Sequence, residues 1–163
     1  MVVKHCKTIM YWQILMPHKL KKMEQQVMYR FSRMELEQFA MFEENCNPEP
    51  SEVQFQTEAQ FSYDKNNFVL CSKIVVNMSN QDKPLVKAEL KSFFDLLPES
   101  VESLRKDGRI MFAPPLLVQF ASLCYGSIRG VIFAKTTGTP INNFILPPVY
   151  FGNLIDKGFV VED

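Results

Sequence analysis

The stretch "APPLLVQFASLCYGSIRGVIFAKTTGTP", residues 113–140, restricts the possible folds more than any other part of this chain. Pro114 and Pro115 suit a helix entrance, where a first-turn residue needs no backbone donor, and Gly138 and Pro140 suit an exit. Between them the sequence predicts one long helix, roughly Pro115 to Thr137. Leu116, Leu117, Val118, Phe120, Leu123, Tyr125, Ile128, Val131, Ile132 and Phe133 fall around its whole circumference, and only Arg129 and Lys135 are charged.

A helix that is apolar all round must be covered on all sides, and one sheet covers one side. A membrane span is one way out, but Arg129 near mid-span would be costly, and the proline pair, Gln119 and two glycines weaken that case. The better account is a second copy of the chain on the side the sheet leaves open. Phe120, Leu123, Cys124, Gly126, Ser127, Gly130 and Val131 are then the interface candidates, with the small residues admitting another backbone. Each glycine costs about 1 kcal/mol relative to alanine in a helix, so two of them ask for a packing reason. The alternative is that both are merely tolerated breaks.

Upstream of the helix the period changes to two. In "VQFQTEAQFSY", Val53, Phe55, Thr57, Ala59 and Phe61 alternate with Gln54, Gln56, Glu58, Gln60 and Ser62, which predicts a strand with one dry and one wet face. "DKNN" and "SNQDKP" read as turns, so "FVLCSKIVVNM" and "LVKAELKSFF" continue an antiparallel meander. Val27 to Phe42 shows partial alternation and predicts a fourth strand, linked through "EENCNPEPSE". Pro98 to Gly108 has room for one or two helical turns, and Asn153 to Lys157 for a short last helix. The expected class is α+β: a four-stranded antiparallel sheet packed on one long helix, plus a short C-terminal helix.

The chain's 163 residues suit a single domain, taken as 23–163 after an uncertain, poorly ordered leader over 1–22. That leader has a basic start and an apolar run from Thr8 to Met16, but Gln13 interrupts the run and no small-residue cleavage site follows. Eighteen basic against eighteen acidic side chains leave no net field for nucleic acid or an anionic membrane. Four cysteines without a CxxC pair suggest a reducing compartment, with Cys71 and Cys124 read as small core hydrophobes. No spacing suits zinc, and no cofactor motif is present. There is also no GxSxG, HExxH or P-loop, and the two histidines, His5 and His18, fall in the doubtful leader. The reading is therefore not an enzyme.

What remains is apolar surface. "INNFILPPVYF", residues 141–151, is too apolar for an ordinary loop, and Pro147 and Pro148 stiffen it into extended form. Phe39, Phe42, Phe144, Tyr150 and Phe151 either fill the edge of the core or line a groove for extended apolar peptide.

These residues resemble the SecB family of protein-export chaperones. Gly138, Thr139 and Pro140, followed by Leu146-Pro147-Pro148-Val149-Tyr150-Phe151, look like that family's Gly-Thr, Pro, Leu-x-Pro-Val-Asn-Phe segment, with Tyr150 in place of the Asn. The order of elements matches over about 27–157, and the sequence from Pro114 to Leu154. The resemblance implies a cytoplasmic, ATP-independent holdase. It also implies a homotetramer, a dimer of dimers with its long helices between sheets. Unfolded preproteins would be the clients, delivered to the SecA motor of the Sec translocase. Carried over, the client groove comprises Ile141, Phe144, Ile145, Leu146, Val149, Tyr150 and Phe151, with Leu154 from the last helix and Phe39 and Phe42 near the first loop. Glu43 and Glu89 fall near the surface used for SecA docking. No long acidic tail follows the last helix. A SecB-like chaperone dedicated to an antitoxin, a carrier of a small apolar ligand, and a purely structural oligomer are the competing readings.

Overall fold

The computed structural model describes residues 27–46 and 53–162. The expected leader over 1–22 lies outside them. Strand β1 spans Tyr29–Met41, β2 Val53–Asp64, β3 Val69–Asn80 and β4 Lys83–Leu96. All pairings are antiparallel, in the order β1-β4-β3-β2. The meander of β2, β3 and β4 is as expected, and β1 adds at its far side, against β4.

Local chemistry sets both hairpins. Asp64 Oδ1 accepts from the backbone N–H groups of Asn66 and Asn67, so the aspartate side chain closes the first turn. Gln81 and Asp82 both adopt positive φ, at 48° and 65°, which matches the strand twist in a two-residue turn between Asn80 and Lys83.

Helix α1 spans Pro98–Leu104, as the sequence led us to expect. It is followed by two elements that the sequence reading missed, β5 (Arg105–Lys106) and β6 (Arg109–Phe112). Helix α2 runs Pro114–Thr136, within one residue of expectation at each end. The expected short helix over Asn153–Lys157 is absent: a single 3-10 turn covers Phe151–Asn153, and β7 (Phe159–Glu162) pairs with β6. With Gly152 and Gly158 around it, that segment has little helix propensity, while Phe159 and Val161 gain burial by pairing beside Phe112. The α+β class stands: a four-stranded sheet on one long helix, with a small three-stranded sheet at one end.

The dry face of β3 and β4 packs on α2. Ile74, Val76, Met78, Ala88 and Leu90 meet Ala121, Cys124, Ile128 and Ile132 in one cluster. A second cluster gathers aromatics at the other end, where the Phe94 and Phe120 rings stack at 4.2 Å and Tyr29 meets Phe120 edge-on at 4.8 Å. Cys71 and Cys124 are buried free thiols, pushed above their ordinary pKa by burial. Cys124 Sγ donates to the Ser72 and Leu90 carbonyls, both at 3.4 Å.

Helix α2 is long and apolar enough to cross a bilayer, but one face of it is committed to this sheet. Phe120 and Cys124, expected at an oligomer interface, are fully buried in the protomer's own core. The helical period explains the correction, since they share a face with Leu117, Ala121 and Ile128. Leu123, Gly126 and Gly130 lie on the opposite, exposed face with Ser122 and Phe133, while Ser127 and Val131 are half-buried.

Candidate functional site

After α2 the chain makes a 3-10 turn at Pro140–Asn143 and then runs without regular structure to Tyr150. Three side chains pin this strap to the core: Ile141, Leu146 and Phe151, all buried. Between the pins, Tyr125 Oη donates to the Pro147 carbonyl oxygen at 2.5 Å, and the Tyr125 ring meets Phe151 edge-on at 5.6 Å. Burial pushes the Tyr125 phenol above its ordinary pKa, and the positive charge of Arg129 acts in the opposite direction. Prolines at 147 and 148 remove two donors and hold the strap extended, so it needs no partner strand.

Three large apolar side chains next to the pins point outward. Ile145 is 69% exposed, Tyr150 72% and Leu154 59%. Phe144 and Val149 are half-buried against the core cluster. The Tyr150 ring lies across Gly152, where a Cβ would come within 2.7 Å of it. Large apolar groups are thus held in solvent by a backbone that cannot withdraw them.

Strap and helix enclose a cleft of about 320 Å3. One wall is the exposed face of α2, with Gly126, Arg129, Gly130 and Phe133; the other is Asn142, Phe144 and Ile145, with Leu146 at the base. Asn142 Nδ2 donates to the Phe133 carbonyl at 3.4 Å, which ties the two walls together at one end.

Of the groove residues drawn from the sequence, Phe144, Ile145 and Leu146 come together here, while Val149 and Tyr150 lie farther along the strap and Leu154 follows the next 3-10 turn, all three outside the cleft. Ile141 and Phe151 are core residues instead, because the 3-10 turns on either side of the strap direct them inward. Phe39 and Phe42 do not line the cleft: the Lys135 ammonium sits 5.2 Å from the Phe39 ring, and the Phe42 amide bonds Leu85. Arg129, Phe133 and Asn142 were missed as site residues. The spacing of Gly126, Arg129, Gly130 and Phe133 at i, i+3, i+4 and i+7 was the signal that could have found them.

Glu43 and Glu89 are not neighbours in an acidic surface. Glu43 lies exposed in a 3-10 turn at Glu43–Asn45, whereas Glu89 on β4 bonds the Lys73 ammonium at 2.5 Å. Lys73 also reaches Glu37 at 2.9 Å, and Lys91 pairs with Glu37 as well, so this sheet face balances its own charges. Among the described residues no cluster of His, Cys, Asp and Glu could hold a metal ion.

No protein-family model and no curated protein matches the sequence. Among solved structures, the Mycobacterium tuberculosis SecB-like chaperone Rv1957, in complex with a ChAD peptide from the antitoxin HigA1, superposes with a TM-score of 0.50. That likeness covers 74% of this chain and 89% of the other, at 16% sequence identity. The chain has a SecB-like fold. The resemblance first drawn from residues 114–154 thus extends to the fold of the chain as a whole. Where a closing helix was expected, over Asn153–Lys157, the chain leaves the 3-10 turn at Phe151–Asn153 and goes on into β7.

Proposed function

We propose that this protein is a molecular chaperone, an ATP-independent holdase that binds extended apolar segments of unfolded polypeptide along the strap and its cleft. The observation that carries this reading is the combination of Ile145, Tyr150 and Leu154 standing in solvent with Ile141, Leu146 and Phe151 anchored beside them. A rigid apolar wall loses little entropy on binding and makes few demands on sequence. The SecB-like fold, and the antitoxin peptide held by the Mycobacterium tuberculosis protein, support polypeptide as the ligand class.

Of the two client readings, a dedicated partner such as an antitoxin is favoured over delivery of preproteins to SecA. The reason is the sheet face around Glu89, where Lys73 and Lys91 neutralise the carboxylates. Self-association, as a tetramer built from dimers, would cover the exposed face of α2 around Ser122 and Leu123, outside the cleft. A reducing, cytoplasmic setting fits the free buried thiols.

Light scattering from a chemically unfolded client, diluted with and without a stoichiometric amount of the protein, tests the proposal. Suppressed aggregation without ATP is expected, and undiminished scattering would remove the holdase reading. Native mass spectrometry adds a separate arm, since a retained lipid-sized ligand would favour a small-ligand carrier.

A further inference from the structure

The cleft contains one feature that an indifferent apolar groove does not need. Five arginines lie among the described residues, and four of them sit in ion pairs: Arg30 with Asp95, Arg33 with Glu35, Arg105 with Glu102 and Arg109 with Glu162. Arg129 forms no ion pair among the described residues, although it is half-buried and lines the cleft beside Phe133, Phe144 and Ile145. A cation partly withdrawn from water without a counter-charge is an energetic liability unless something supplies one.

The surroundings define what would fit. Nothing lies within 4 Å of the position a Cβ would take at Gly126 or Gly130, so a peptide backbone has open access to the helix on either side of Arg129. Phe133 and Ile145 present apolar surface within the same cleft. The volume of about 320 Å3 is small, at the lower end of the range for ligand pockets, which suits a few side chains of an extended segment. A guanidinium presents a planar fork of donors that matches a carboxylate, and both groups bind more strongly where water is scarce.

We propose that the cleft between α2 and the strap selects client segments in which an Asp or Glu side chain sits next to a large apolar residue, with Arg129 taking the carboxylate and Phe133 and Ile145 the apolar neighbour. This rests on the chaperone reading above and deepens it. The strap supplies adhesion, and Arg129 supplies register and choice among clients, because a segment without the carboxylate leaves the charge unmatched.

The test uses short fluorescent peptides, blocked at both ends and identical except for one central residue: Asp, Asn or Lys beside Phe. Binding is followed by fluorescence anisotropy with the wild-type protein, Arg129→Gln and Arg129→Lys. The wild type should prefer the Asp peptide over its Asn twin by about tenfold, equivalent to 1.4 kcal/mol. It should bind the Lys peptide most weakly. In Arg129→Gln the Asp and Asn peptides should bind alike, near the wild-type affinity for Asn, and Arg129→Lys should restore part of the preference. Equal binding of the Asp and Asn peptides by the wild type would overturn the inference and leave the chaperone reading intact. So would a preference that survives in Arg129→Gln. A further peptide with Asn at the centre and a free C-terminus completes the set. If only that one gains affinity through Arg129, the carboxylate recognised is terminal and the side-chain proposal is wrong. A change in the sedimenting mass of Arg129→Gln would place the arginine at a contact between copies and overturn the proposal too. If no peptide binds at all, the chaperone reading falls together with the inference.

Discussion

Tyr125 and Pro147 are joined by a hydrogen bond of 2.5 Å, phenolic hydroxyl to carbonyl oxygen, across 22 residues of sequence. The same tyrosine ring packs edge-on against Phe151. One residue in the middle of α2 therefore holds both the middle and the end of the strap. This is how a segment without a repeating backbone hydrogen-bond pattern keeps Ile145 and Tyr150 in fixed places.

Tyr125→Phe retains the ring pair and removes only the hydrogen bond. A loss of about 1 kcal/mol in unfolding free energy is expected. The informative readout is local: amides of Phe144, Ile145 and Leu146 should exchange faster relative to those of β3, and client affinity should fall with them. Unchanged exchange in the strap would mean that the hydroxyl contributes stability without holding the wall.

Exposed and anchored strap residues should separate cleanly. Tyr150→Ala and Ile145→Ala, at positions largely in solvent, should leave stability within about 0.5 kcal/mol of wild type while weakening suppression of aggregation. Phe151→Ala empties a core site and should cost about 3–5 kcal/mol. Chemical denaturation alongside the scattering assay checks the pair. If Tyr150→Ala unfolds the protein, that ring belongs to the core and the wall does not exist.

How much of this was legible in the sequence depends on whether a period existed to be read. The alternation of β2 is reproduced residue by residue, half-buried then exposed, and α2 begins and ends within one residue of the expected places. An all-round apolar helix, however, hides its own orientation: nothing in its composition separates Phe120, which the sheet buries, from Leu123, which it does not. The strap has no period at all, so the inward turn of Phe151 and the outward turn of Tyr150 are set by tertiary anchoring. Strands as short as β5 and β7 carry too few residues for a pattern, and β7 finds its partner only because β6 is held beside the aromatic cluster. Arg129 was visible in the sequence as a charge in an apolar helix, and only the strap packed beside it makes it a site residue.

The ion-pair network on the wet sheet face predicts a pH response with two limits. Bonds from Lys91 and then Lys73 hold the Glu37 carboxyl below its ordinary value of 4.5. A lowered carboxylate contributes stability that is present above its unfolded pKa and is lost as pH falls through the folded one. Bonds from Glu89 and Glu37 raise Lys73, and Glu37 raises Lys91, above the ordinary 10.5. Their contribution is complete below that value and is lost as pH rises beyond it. Stability should therefore be flat between these limits and decline outside them. Glu37→Gln should shrink the acid-side decline, measured by denaturant midpoints across pH; an unaltered acid limb would show that Glu37 contributes nothing through this network.

Gly130 tests whether a second copy packs on α2. It lies on the exposed face with open space where a Cβ would sit, so Gly130→Ala meets no obstacle within the protomer. Helix propensity then favours alanine by about 1 kcal/mol, and thermal unfolding of the protomer should shift upward. If the backbone of another copy, and not a client segment, takes that space, the same methyl group should weaken association, and sedimentation should show a smaller species at low concentration. Stability and assembly would then move in opposite directions, which a purely local effect cannot do. Leu123→Glu, exposed on the same helix but outside the cleft, provides the control, because a charge there should disrupt association while peptide binding at the cleft persists. Unchanged mass in both variants would mean that α2 leaves this face open to solvent, and the tetramer reading would fall.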